Sequence, residues 1–242
     1  AEQRALFHRH LTESGTLSIN ADGVASNADK NQRLSCQLAL AVAQRLGAPS
    51  GVRKLDGQRA GKNFEEAVSA FLRDSFPHMS ALRPGLWEVL NVGSSRQGQF
   101  LAHYEPYRHL DELAEAIARN PTLATVLGNS YDISPDVLLV RSPITNRELE
   151  EAGIAVGSAA QYSPLLARNQ SSPIVHAVVS CKWTLRSDRA QNARSEALNL
   201  IRNRKGRTPH IVVVTGEPAP SRLASLALGT GDIDTMYHVA LP

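Results

Sequence analysis

Asp136 and Lys182 are of the residue types that cleave phosphodiesters when a second acid joins them. Asp136 follows Pro135 and opens the apolar run "VLLV"; Lys182 closes the run "IVHAVVSCK". If these runs are neighbouring strands, a carboxylate and an ammonium meet at one sheet end. Carboxylate oxygens hold a hard cation such as Mg²⁺. Metal and lysine together stabilise charge building on an attacked phosphate and help to form the attacking hydroxide. The second acid usually stands two residues before the lysine, but here that position is Ser180. Glu196, in the helix that should follow, is a candidate substitute if the chain folds back on the end of the Lys182 strand. Each residue also has a plainer reading: Lys182 as a strand end reaching solvent, Glu196 as an exposed acid balancing arginines.

The segment between them adds a second theme. From Cys181 to His210, Lys182, Arg186, Arg189, Arg194, Arg202, Arg204, Lys205 and Arg207 face only Asp188 and Glu196, although the whole chain carries a formal charge of just +3. Such a local excess suits a polyanion, or else a solvated helix face. Within it, "RSDR" at 186–189 stands at an expected helix start. Arginine pairs with guanine O6 and N7, and aspartate accepts from cytosine N4, so the tetrad suits a G·C-rich major groove. The alternative is a helix cap on Ser187 with Asp188 against the helix dipole.

These residues need elements to hold them. Helices are expected over 2–14, over 31–47 with Leu34, Leu38, Val42 and Leu46 on one face, and over 63–76 with Phe64, Val68, Phe71 and Leu72 inward. A strand is expected at 86–92 and a short helix at 109–119, with Leu110, Leu113 and Ile117 inward. The second half alternates: strands at 134–141 and 173–184, a helix from about Ser187, the strand "HIVVVTG", and a short helix near 221–228. This order predicts an α/β fold with a mixed central sheet flanked by helices, in one domain over 1–242. Strand alternation puts Val175, Ala177, Val179, Cys181 and Trp183 on one face, and His176, Val178, Ser180 and Lys182 on the other.

Other chemistries drop out. "GQRAGKN" has the wrong glycine spacing for a phosphate-binding loop, and Asn63 follows its lysine where Ser or Thr is needed. "GSSRQG" lacks the nucleophile-elbow spacing, and the eight histidines form no zinc pattern. The apolar runs are too short to span a bilayer, the opening residues lack a secretion-signal pattern, and the two cysteines make no disulfide framework. A reducing cytoplasm is the expected setting.

"SCKWTLRSDRAQNARSE" at 180–196, "RNRKGRTPHIVVVT" at 202–215 and the "PD" at 135–136 closely resemble the NgoMIV-type restriction endonucleases, whose active-site acid has migrated. The resemblance extends to "VASNAD" at 24–29, "GQRAGKNFE" at 57–65 and "PSRLASLALGTGDID" at 220–234. It implies a restriction-endonuclease-like core, Mg²⁺-dependent cleavage of double-stranded DNA at the palindrome G/CCGGC with a 5′ overhang, a homotetramer of two back-to-back dimers, and a bacterial cytoplasmic setting. It implies catalytic roles for Glu65, Asp136, Lys182 and Glu196, with Ser180 at the vacated acid position. Asp136, Glu196 and the Cys181 backbone carbonyl would hold metal. Arg186, Asp188 and Arg189 would read the inner CCGG, Asp29 and Arg222 the outer G·C pair, and Gln58 the minor groove. The family's chains continue past "YHVALP", which leaves a possible C-terminal contact outside this sequence. The rival expectations are a related nuclease with another CCGG-containing site, a repair or junction-resolving nuclease, a DNA-binding protein with a decayed site, and a structural α/β protein.

Overall fold

The computed structural model describes residues 2–79, 82–83, 85–93, 100–120, 122, 125–126, 135–155, 157, 160–229 and 231–240. Ser134, Thr230, Leu241 and Pro242, which belong to segments singled out above, lie outside the described residues, as does most of "GSSRQG".

Five strands form one sheet in the order of the chain: β1 (Trp87–Asn91), β2 (Val137–Arg141), β3 (Ile174–Lys182), β4 (His210–Thr215) and β5 (Thr235–His238). The β1–β2 and β2–β3 pairs are antiparallel, whereas β3–β4 and β4–β5 are parallel, so the sheet is mixed as expected. β3 and β4 are apolar on both faces because helices cover both. On one side lie α1 (Glu2–Glu13), α2 (Arg33–Arg45) and α3 (Gly57–Ser75), which share a core with Val137, Leu139, Ala177 and Val179. On the other lie α4 (His109–Arg119), α6 (Ser187–Asn203) and α7 (Pro220–Ala227), packed with Leu138, Val140, Val178 and Val213.

Three expectations are corrected. In α2 the buried stripe is Ser35, Ala39 and Ala43, while Leu34 is 46% exposed. Of the expected stripe, Leu34 faces out, Leu38 and Val42 are half-buried, and Leu46 packs against the core. In β3, strict alternation fails at its start. The pairing jumps from Leu139↔Ala177 to Val140↔Val175, which leaves His176 as an extra residue. That bulge turns Val175 into the core shared with Val178, and turns the His176 ring against Trp87 and His210. Finally, α3 begins at Gly57 rather than near Asn63, because Asp56 caps it by accepting the Arg59 N–H at 2.9 Å.

A short helix, α5 (Asn146–Glu151), was not anticipated, although its capping box is readable as Thr145 with Glu148 three residues on. Among the described residues, no helix is long and apolar enough to cross a membrane.

Candidate active site

Asp136 stands just before β2, and Val137 pairs with Val179 of β3. The start of β2 therefore lies beside the end of β3, the juxtaposition the sequence suggested. The Cys181 N–H donates to Asp136 Oδ2 at 2.7 Å, fixing the carboxylate against the strand. In an extended strand a residue's N–H and C=O point to the same neighbour, so the Cys181 carbonyl opens on the Asp136 side too. The Cys181 side chain is buried in the opposite direction, and burial pushes its thiol well up, which makes it inert.

Lys182 Nζ lies 3.5 Å from Asp136 Oδ2 and 3.2 Å from Glu196 Oε2. Glu196 sits on α6, which runs back over β3 with Ala193, Ala197 and Leu200 buried against the sheet. Ser180 Oγ donates to Glu196 Oε2 at 2.9 Å. Ser180, which stands where the second acid usually does, and Glu196 are thus joined by a hydrogen bond. Burial alone would push the Lys182 ammonium down, but Asp136 and Glu196 together push it above its ordinary value. Neither plainer reading survives: Lys182 does not end in free solvent, and Glu196 pairs with it rather than with an arginine.

Around this cluster opens a cleft of about 940 Å³, lined by Asp136, Cys181, Lys182, Glu196, Glu65 and Gln58 among others. Glu65 and Gln58 lie on α3 two turns apart, with Gly61 and Lys62 between them on the same face. A side chain at Gly93 would run into the Glu65 carboxylate, so this glycine leaves room for the acid. The helix is set by a column beneath it. Phe64 meets the Trp183 ring at a 5.0 Å centroid distance, and Gly216 lies so close under Trp183 that an added Cβ would come within 2.7 Å of the ring.

At the rim, "RSDR" starts α6. Arg186 occupies the cap position without a side-chain cap, and Ser187 is already helical, so the expected serine cap is absent. The Ser187 hydroxyl instead accepts from Arg222 Nη1 at 2.7 Å. Arg186 and Asp188 are exposed, whereas Arg189 is half-buried, donates to Thr184 Oγ1 at 2.9 Å and reaches the start of α3. Burial pushes the nearby Lys54 ammonium down, and Lys30, Arg189 and Arg186 push it the same way. Lys30, Lys54, Arg186 and Arg189 thus crowd positive charge on this rim. Asp29 and Arg222 form a 3.0 Å ion pair with each other, Asp29 being 3% exposed. They join the rim through Ser187.

The basic run divides between two places. Arg202, Arg204 and Lys205 lie at the other end of α6, which is 17 residues and so about 25 Å long. There Arg204 donates to the Ile201 carbonyl and to Thr208, stabilising the last turn. Sequence reading missed Asp56, Lys62, Gly93 and Asn192 as cleft-lining residues. The cap spacing of Asp56 was legible, and so was the i, i+4 placement of Asn192 before Glu196; Gly93 gives no local signal.

A divalent cation fits the donors present, which are all oxygen. Among the described residues no three His, Cys, Asp or Glu side chains form a ready cage. A cation here would draw on Asp136, Glu196, the Cys181 carbonyl and solvent, within the habits of Mg²⁺.

Residues 7–242 match the family model of the NgoMIV restriction enzyme. The chain is 46% identical over 241 residues to the type II restriction enzyme NgoMIV of Neisseria gonorrhoeae, covering 99% of this chain and 84% of that protein. Among solved structures, Bse634I restriction endonuclease superposes with a TM-score of 0.41 at 12% identity, covering 83% of this chain and 77% of that one. Bse634I with cognate DNA gives 0.45 at 12% identity, covering 96% and 87%. The chain belongs to the NgoMIV restriction enzyme family and is a type II restriction endonuclease, an enzyme that cleaves DNA at specific sites.

Proposed function

We propose that this enzyme cuts double-stranded DNA at GCCGGC, as G/CCGGC with a four-base 5′ overhang, by Mg²⁺-dependent hydrolysis. The observation that carries the chemistry is the position of Lys182 Nζ between Asp136 and Glu196 at the floor of an open cleft. Asp136 and Glu196 would hold the cation with the Cys181 carbonyl, and Mg²⁺ supplies Lewis-acid stabilisation and a more acidic bound water. Lys182, kept protonated by its two carboxylates, donates to the phosphate oxygen where negative charge grows. Ser180 holds Glu196 in register with the strand. Glu65, on the opposite wall of the cleft, faces the same space from α3.

Specificity is assigned to the rim. Arg186, Asp188 and Arg189 project from one helix start and read the inner CCGG from the major groove, while the helix N-terminus favours phosphate nearby. Asp29 and Arg222 read the outer G·C pair, and Gln58 enters the minor groove. A palindrome requires a two-fold protein, and the working assembly is proposed as a homotetramer of two dimers acting on incoming DNA in the bacterial cytoplasm. Digestion of a sequenced plasmid with Mg²⁺, followed by end mapping, tests the site. Every mapped end should carry 5′-CCGG; ends at another hexamer would replace the proposed site. Plasmids with two sites should be cut faster than those with one, and equal rates would refute the two-site assembly.

A further inference from the structure

We propose that Glu217 is a positioning residue for base reading: it clasps the two segments that carry Asp29 and Arg222 and ties both to the backbone of the catalytic strand. Glu217 is fully buried. A carboxylate in such a place costs stability unless its contacts repay it. One oxygen, Oε1, accepts from Ser35 Oγ at 2.7 Å and from the Ala219 N–H at 3.0 Å. Ser35 Oγ in turn accepts the Asp29 N–H at 2.8 Å. Ala219 is the residue before α7, and its carbonyl accepts the Arg222 N–H at 3.0 Å. The two arms that meet in the Asp29–Arg222 ion pair therefore diverge from a single carboxylate oxygen.

The third tie runs inward. The Glu217 N–H donates to Thr215 Oγ1 at 3.1 Å, and that hydroxyl donates to the Lys182 carbonyl at 2.6 Å. Next to it, the Gly216 carbonyl accepts from Asn27 Nδ2 at 2.6 Å, pinning the same loop that carries Asp29. Recognition and cleavage elements thus share one buried frame. Burial pushes the Glu217 carboxyl up, while Ser35 and Ala219 draw it back, so the group is retained against a burial penalty. An apolar side chain would fill the space but could hold neither arm.

This inference rests on the reading of Asp29 and Arg222 as contacts to the outer G·C pair. The test measures kcat/KM on duplexes containing GCCGGC, the outer-changed ACCGGT and the inner-changed GCTAGC, for Arg222→Ala, Ser35→Ala, Glu217→Ala and Glu217→Gln. Melting curves confirm which variants fold. Arg222→Ala comes first: if it leaves discrimination against ACCGGT unchanged, the outer-pair reading is wrong. With that reading standing, Glu217→Ala and Ser35→Ala should each lower discrimination against ACCGGT by at least about tenfold, within the range of one base contact, and leave discrimination against GCTAGC within about twofold. Glu217→Gln keeps an acceptor for Ser35 and Ala219 and should restore most of the preference. Should Glu217→Ala fail to fold, Ser35→Ala decides alone. The proposal is overturned if the folded variants keep wild-type outer-pair discrimination, or lose preference at inner and outer positions alike.

Discussion

Lys182 is the residue on which opposing forces meet. It lies mostly out of water, which disfavours its charge, yet two carboxylates within 3.5 Å raise its proton affinity above the ordinary lysine value. An ammonium held this way stays charged through neutral and mildly alkaline pH. Replacing it by alanine should lower single-turnover cleavage by about 10³-fold or more, at the upper end of one electrostatic donor's effect, with specific binding in Ca²⁺ nearly unchanged. A variant that turns over normally would remove Lys182 from the chemistry. Asp136 and Lys182 stood out in the sequence because one opens and the other closes a strand-like run. The absence of an acid at Ser180 was equally plain, and Glu196 could be named only as a candidate substitute. A helix residue such as Glu196 returns to a strand end only if the helix packs antiparallel over that strand, and only tertiary structure shows that.

At the scale of elements, the two ends of α6 differ. Its start presents Arg186 and Asp188 to solvent without a side-chain cap, while its last turn is stabilised by Arg204. Asp188→Ala should therefore lose far more affinity for GCCGGC than for scrambled DNA, roughly 1–3 kcal/mol of preference, in titrations with Ca²⁺. Retention of the full preference would reduce the helix start to ordinary surface. Lys205 lies two residues past the other end of this 17-residue helix, about 25 Å from that start. The sequence showed the basic excess as one block because linear spacing does not reveal that a helix separates its ends. α3 is controlled from beneath, through Phe64, Trp183 and Gly216. A Gly216→Ala methyl would press on both the Trp183 ring and its backbone carbonyl, so overpacking of about 1–3 kcal/mol is expected in urea unfolding. Cleavage should fall with it, because Glu65 rides on the displaced helix. Wild-type stability would show that the column yields freely.

For the molecule as a whole, the alternation of strands and helices after residue 134 was enough to anticipate a mixed sheet covered on both faces. The first half was less legible. Glycines at 57 and 61 masked the start of α3, and leucines on α2 drew attention from the alanines that face the core. The bulge at His176 left no trace in the alternation, since Val175 and Val178 are apolar either way. That bulge has a consequence for stability at the sheet end far from the cleft. Burial lowers the His176 pKa to about 4, helped by His210, Arg83, Arg207 and Arg141. The unfolded chain takes up this proton near pH 6.5 and the folded protein does not, so stability is lost as pH falls from about 6.5 toward about 4. His176→Gln should flatten that acid limb by about 1–2 kcal/mol, after allowance for partial solvent exposure. Urea unfolding of both proteins at about pH 7 and about pH 4.5 measures it, and an unchanged acid loss would assign the limb to other groups.

Glu196 is the proposed replacement for the missing acid, and Glu196→Gln tests that role most directly. The substitution keeps the size of the side chain and leaves an oxygen to accept from Ser180, but removes the charge that pairs with Lys182 and would hold the metal. Single-turnover cleavage of a GCCGGC duplex in Mg²⁺ should fall by about 10³-fold or more, while binding of the same duplex in Ca²⁺ weakens far less. Cleavage within a few fold of wild type would contradict that role, because the acid that completes Asp136 and Lys182 would then have to come from elsewhere in the chain.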